Sequence, residues 1–168
     1  EDFLNLIKKQ EMLGFAYDGA EASFELLARR KFQRFKEFYS LESFKVSDEK
    51  RIDEKGNFVP FSEARVKIFV GKKEFYSASE GNGPIHALDN ALRKGLKQFY
   101  PKLNELNLID YKVRILTPED GTKALVRVRI ESSNKNHTWS TIGVSYNVID
   151  ASYIALHDSI TYHLLKVK

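Results

Sequence analysis

An internal duplication constrains this chain more than any other feature. The stretch GNGPIHALDNALRKGL, Gly81 to Leu96, is matched in plan by SYNVIDASYIALHDSI, Ser145 to Ile160. In both, an apolar β-like run breaks at small residues and restarts as a helix, so that Gly83-Pro84-Ile85-His86-Ala87 aligns with Asn147-Val148-Ile149-Asp150-Ala151. Upstream, Ala64 to Val70 matches Ala124 to Ile130 in the same way. A supersecondary unit used twice restricts the architecture more firmly than local propensity does.

Taken in order, Phe3, Leu6, Ile7, Gln10 and Leu13 have helical spacing, with Gly14 placed to end the helix. A second short helix runs to about Arg30, with Asp18 as expected N-cap and Glu21 three residues on. Phe35 to Val46 predicts a strand or a bent pair, and the polar Ser47 to Pro60 a loop. Ala64 to Val70 and Glu74 to Ser79 predict two strands around a turn at Gly71-Lys72. A helix follows from Pro84 to about Tyr100, with Asp89, Arg93, Lys94 and Lys97 facing water. The pattern then recurs: Ile109 to Ile115 alternates, Asp120-Gly121 marks a turn, Ala124 to Ile130 and Thr138 to Val144 predict strands, and Val148 to about Leu165 a closing helix. The expected fold class is therefore α+β, with βββα units at 35–100 and 108–166 making one domain (35–168) after a helical hairpin (1–34). Lys67, Lys112, Arg114, Arg127 and Arg129 fall on the strand faces turned away from the helices. A three-stranded sheet covered by one helix needs a further surface to finish its core, which predicts packing on another unit or on a second copy.

A chain of 168 residues buries roughly 70% of its unfolded surface without staples. With no cysteine it has neither disulfides nor a thiolate nucleophile, and four scattered histidines make no ligand cluster. The expectation is a reducing, cytoplasmic setting. No apolar run of membrane-spanning length and no leader pattern is present, so no membrane partner is expected. The chain begins at Glu1, inside a helical pattern and without Met, which we read as a fragment of a longer protein. The net charge of +4 is a small excess, and its densest part, Arg29-Arg30-Lys31 with Arg34 and Lys36, sits at a helix end where cations complement the dipole. Without stacking motifs, no nucleic-acid partner is expected.

Catalytic patterns are missing: no Walker loop, HExxH, GxSxG or dinucleotide fingerprint occurs, and Gly81-Asn82-Gly83 lacks that fingerprint's third glycine. The informative features are the two strand-to-helix loops. A helix N-terminus presents free N–H groups, and glycine lets a ligand approach the backbone, so Gly81-Asn82-Gly83-Pro84 and Ser145-Tyr146-Asn147-Val148 are candidate carboxylate cradles. Ordinary capping by Gly83 and Asn147, with Pro84 at N1, is the alternative. Two matched copies, each followed by an isoleucine (Ile85, Ile149), favour a small-ligand site between units.

The strings EGNGPIHALDNALRKGL, LIDYKVRIL, GTKALVRVRIES, TWSTIGVSYNVIDASYIALHDSI and YDGAEASFELLARR together resemble the C-terminal regulatory domain of the citramalate synthase / 2-isopropylmalate synthase family. The resemblance covers nearly the whole chain. It implies a duplicated βββα domain that dimerises and binds an end-product branched-chain amino acid as feedback inhibitor. It also implies a parent acyltransferase using acetyl-CoA, whose catalytic barrel and divalent metal are not in this chain, so no cofactor is expected here. Carried over residue by residue, the implied effector contacts are Gly81, Asn82, Gly83, Pro84 and Ile85 in the first loop. Leu108, Tyr111, Ile115 and Val126 follow on strands, and Val148, Ile149, Asp150 and Ala151 in the second loop. His86 and Tyr146 depart from the family's pattern. The citramalate-like strings imply isoleucine as effector, with leucine, or a dimerisation module without effector sensitivity, as alternatives.

Overall fold

The computed structural model describes residues 2–167. Two helices, α1 (Phe3–Met12) and α2 (Glu21–Lys31), come first, followed by β1 (Ser40–Ile52), β2 (Phe58–Val70), β3 (Lys73–Gly81) and α3 (Pro84–Leu96). A 3-10 turn leads into β4 (Asn107–Ile115), β5 (Val126–Ser133), β6 (Thr138–Ser145) and α4 (Val148–Lys166). Both repeats are thus antiparallel three-stranded meanders, β1-β2-β3 and β4-β5-β6, each followed by one helix, as the duplication requires. The correspondence extends to an irregularity, because each first strand shifts register near its start, between Leu41 and Ser43 and between Leu108 and Asp110.

The chain clusters into two compact units, Glu37–Asn104 and, within the described residues, Glu1–Lys36 with Glu105–Lys168. This division differs from the expected boundary at residue 34, because α2 is tied into the second repeat by side chains. The Glu21 carboxylate accepts the Ser140 amide at 3.0 Å, and Ser23 Oγ accepts the Ile142 amide at 3.0 Å. Both amides lie on the outer edge of β6, so the hairpin pairs an edge strand that would otherwise expose its donors. Ser23 Oγ in turn donates to Asp158 Oδ2 at 2.8 Å, and Arg30 meets Asp158 Oδ1 at 2.7 Å. Glu21 is therefore no capping-box residue: α2 starts at Glu21 with Ala20 as N-cap, and Asp18 makes no cap. Gly14 does follow α1 with φ +99°, as expected.

In the unit of the first repeat, Ala64, Val66 and Ile68 of β2 meet Leu88, Ala91, Leu92 and Leu96 of α3 in a fully buried layer. Four expectations are corrected here. β1 begins at Ser40 rather than Phe35, and the predicted loop 47–60 is the far end of a long β1–β2 hairpin turning at Asp53–Asn57. There the Asp53 carboxylate accepts the Lys55 and Asn57 amides, both at 2.9 Å. Polar residues form strand there because pairing, not burial, holds a hairpin end exposed on both faces. α3 closes at Leu96, and Tyr100 instead donates its hydroxyl to the Phe38 carbonyl at 2.7 Å. Asp89, expected in water, is buried and paired with Arg93 Nε at 2.8 Å.

In the other unit, Val128 and Ile130 of β5 face α4, whose Ala151, Ala155, Leu156 and Ile160 are buried. Gly143 on β6 allows the close approach. A Cβ there would collide with the Ala151 carbonyl oxygen and crowd Ile154 Cβ at 2.8 Å.

Candidate functional site

The two loops expected to cradle a ligand differ in their hydrogen bonding. In the first repeat, β3 ends at Gly81, and Gly83 is the N-cap of α3 with extended backbone, φ −172°. Gly81 is glycine for packing, since a Cβ would run into the Ala87 backbone, whereas a Cβ on Gly83 meets nothing within 4 Å. The Gly83 carbonyl accepts the Ala87 amide at 3.0 Å. Pro84 has no N–H, and the Ile85 and His86 amides have no side-chain cap. His86 folds back so that its Nδ1 accepts the Asn82 amide at 3.1 Å, which puts the neutral ring's proton on Nε2. Asn82 is exposed and Ile85 half-buried. This loop is an open helix N-terminus with room above it.

The second loop is closed. Asn147 Oδ1 accepts the amides of Ile149 at 2.8 Å and Asp150 at 3.3 Å, so capping has taken the donors that the matched sequence plan offered to a ligand. What it presents instead is an apolar face. Strand alternation brings Tyr111 and Ile115 of β4 to the α4 side, where Ile115 pairs with Val126 of β5. Tyr111 is 41% exposed, Ile115 55% and Val148 40%, a high share for apolar side chains of a sheet and its covering helix. Ser152 Oγ donates to the Val148 carbonyl at 2.6 Å, and its hydroxyl has one hydrogen. The 2.9 Å contact with Tyr111 Oη is therefore donated by the tyrosine. Leu108 and Ile149 are half-buried and Asp150 is exposed, while Ala151 is buried where Gly143 packs and presents no side chain outward.

The unit of the second repeat thus brings Tyr111, Ile115, Val126, Val148 and Ile149 onto one side of its sheet, and the other unit brings together Gly81 to Ile85. Sequence reasoning missed Val113 and Ser152. Val113, 46% exposed, shares the face of Tyr111 and Ile115 by period-2 alternation and was legible there. Ser152 lies one turn after Val148, but its bond to Tyr111 depends on how α4 crosses the sheet. Cavities of about 200, 380 and 380 Å³ are lined by none of the expected effector residues, and one of the larger two touches Val113. Among the described residues no cluster of His, Cys, Asp or Glu is suited to a metal, and no helix is long and apolar enough to cross a membrane.

Comparison with known proteins adds to this geometry. The profile of the LeuA allosteric (dimerisation) domain matches residues 18–164. An (R)-citramalate synthase of Geobacter sulfurreducens is 50% identical over 165 residues, 98% of this chain and 31% of that protein. One from Aquifex aeolicus is 50% identical over 163 residues, 97% of this chain and 30% of that protein. A 2-isopropylmalate synthase of Shewanella woodyi is 31% identical over 157 residues, 93% of this chain and 26% of that protein. The chain therefore spans under a third of the length of these relatives.

Proposed function

The chain belongs to the LeuA allosteric (dimerisation) domain family, and from that premise we propose that it is a feedback-regulatory domain binding a branched-chain amino acid. Isoleucine is the first choice of effector, and leucine the alternative. The parent in this proposal is a cytoplasmic citramalate synthase. Its acetyl-CoA chemistry and divalent metal belong to a catalytic barrel outside the matched region, and the domain works as a homodimer. The higher identity to citramalate synthases than to a 2-isopropylmalate synthase supports the isoleucine reading.

The observation that carries the proposal is the exposed apolar strip Tyr111, Val113, Ile115 and Val148, continued by half-buried Ile149. An aliphatic side chain would be desolvated there, with about 0.8 kcal/mol gained per buried methylene. Within the unit of the second repeat we assign the effector's ammonium to the exposed Asp150 carboxylate, and the uncapped amides behind Gly83 are a separate candidate carboxylate cradle in the other unit. Capping of the second loop by Asn147 favours the first loop as the anion cradle.

Calorimetric titration with isoleucine, leucine and valine tests the proposal. The effector should also raise the melting temperature, since a ligand bound only by the folded state adds about 2.7 kcal/mol at a hundredfold excess over Kd. Gly83→Val should weaken binding by more than about tenfold and leave the unliganded melt nearly unchanged, because its Cβ enters open space. If no branched-chain amino acid binds at millimolar concentration, the chain is a dimerisation module without effector sensitivity.

A further inference from the structure

The face of the second sheet turned away from α4 carries two cross-strand pairs of cations, Lys112 opposite Arg129 and Arg114 opposite Arg127. Like charges facing each other across antiparallel strands destabilise the pairing, so the fold alone gives no reason for them. Carboxylates answer them only in part. Lys112 Nζ reaches Asp110 at 2.8 Å. Arg127 Nε donates to the Gly14 carbonyl at 2.7 Å, and Arg129 donates to the Gly19 carbonyl and Ser140 Oγ, both at 3.0 Å. These are neutral acceptors that orient the guanidinium groups without cancelling their charge. Arg114 is exposed and has no carboxylate partner among the described residues. Burial, and then the charge of Arg114, holds Arg127 below the usual arginine range.

These cations converge. The connection between α1 and α2 crosses this face, and a cavity of about 380 Å³ opens beside it, lined by Lys112, Arg114, Arg127 and Arg129 with Ala16, Val113 and Ile142 as apolar wall. Asp18 is the one carboxylate in the lining and Asp110 pairs with Lys112, so four cations are set against two acids. We propose that this cavity is a site for a small multivalent oxyanion of the phosphate or carboxylate class, held by the forks of Arg114 and Arg127 with Lys112 as a point charge. The anion relieves both cross-strand repulsions at once. Lys112 and Arg114 alternate with Tyr111, Val113 and Ile115 along β4 and point to the opposite side from the proposed effector face, so that the cavity and that face share only Val113.

The test is calorimetric titration of the chain with pyrophosphate and, in a second arm, with malonate, at constant ionic strength set by chloride. Saturable one-site binding is expected from at least one arm, and the two arms tell a phosphoryl ligand from a carboxylate one. Arg114→Gln, at an exposed side chain with no structural bond, should weaken that binding at least about tenfold without lowering the unliganded melt. Lys135→Gln, which removes the same charge from the exposed β5–β6 turn, should leave it unchanged. No saturable binding in either arm, or equal weakening by both substitutions, overturns the proposal. Neither outcome bears on isoleucine binding, which is measured separately on the same protein.

Discussion

Two glycines that look alike in the sequence do opposite work. Gly143 lets α4 press onto β6, so Gly143→Ala forces the helix off the sheet at backbone atoms that cannot yield. It should cost about 3 kcal/mol, and in a domain of this size that lowers the melting temperature by roughly 6–12 °C. Gly83→Ala, whose Cβ meets nothing, should move the melt by no more than a degree or two, about 0.5 kcal/mol. Differential scanning calorimetry on the pair decides this, and similar melts would contradict the close approach of α4. Tyr17 gives a second prediction. Burial, reinforced by the Asp158 carboxylate and opposed by Arg30, pushes its phenol up to about 12. Above about pH 10 the unfolded chain's phenol loses its proton while the folded one keeps it. Stability should therefore fall as pH rises from about 10 to about 12. The urea midpoint of Tyr17→Phe should decline less steeply across that window, and parallel declines would refute a buried hydroxyl.

At the scale of elements, α2 stands in for a fourth strand. It supplies two acceptors, the Glu21 carboxylate and Ser23 Oγ, to alternate amides of β6. By hydrogen exchange, the Ser140 and Ile142 amides should be protected although β6 is an edge strand. Glu21→Ala should speed exchange at Ser140 with little effect at Ile142. Ser23→Ala should do the reverse and also strip Asp158 of a partner, at a cost of about 1–3 kcal/mol. Equal exchange at the two sites in both variants would mean that α2 is not what closes the edge. The helix itself was legible in the apolar spacing of its sequence. Its role was not, because Asp18 and Glu21 make a plausible local cap, and only the position of β6 shows that Glu21 reaches across to another element.

At the scale of the whole molecule, the proposed homodimer is the natural cover for β4, an edge strand that leaves Tyr111, Val113 and Ile115 41–55% exposed. Light scattering at micromolar concentration should give twice the chain mass. Val113→Glu, on the apolar strip, should shift the population towards monomer with the circular dichroism spectrum retained. A monomeric parent chain would remove the dimer from the proposed function but leave the effector titration to stand or fall alone.

The duplication, the order βββα in both copies and the helix and strand periods were legible in the sequence because they follow from local alternation and helical spacing, repeated. The candidate site was legible in part. Gly83-Pro84 at one helix start and Tyr111 with Ile115 on one strand face are properties of short stretches. Three things were decided only in three dimensions. The sequence matches the two loops, yet Asn147 caps one while glycine leaves the other open, because a side-chain oxygen two residues before Ile149 captures its amide. The helical hairpin reads as a local appendage, yet Glu21, Ser23 and Arg30 bind groups more than a hundred residues away. The four cations read as a solvated strand face, and only the register that sets Arg114 against Arg127, under the chain from Gly14 to Gly19, turns them into a lined cavity. Local periodicity carries information over a few residues, whereas hydrogen bonds and charge repulsion act between whatever residues the fold places within a few ångströms.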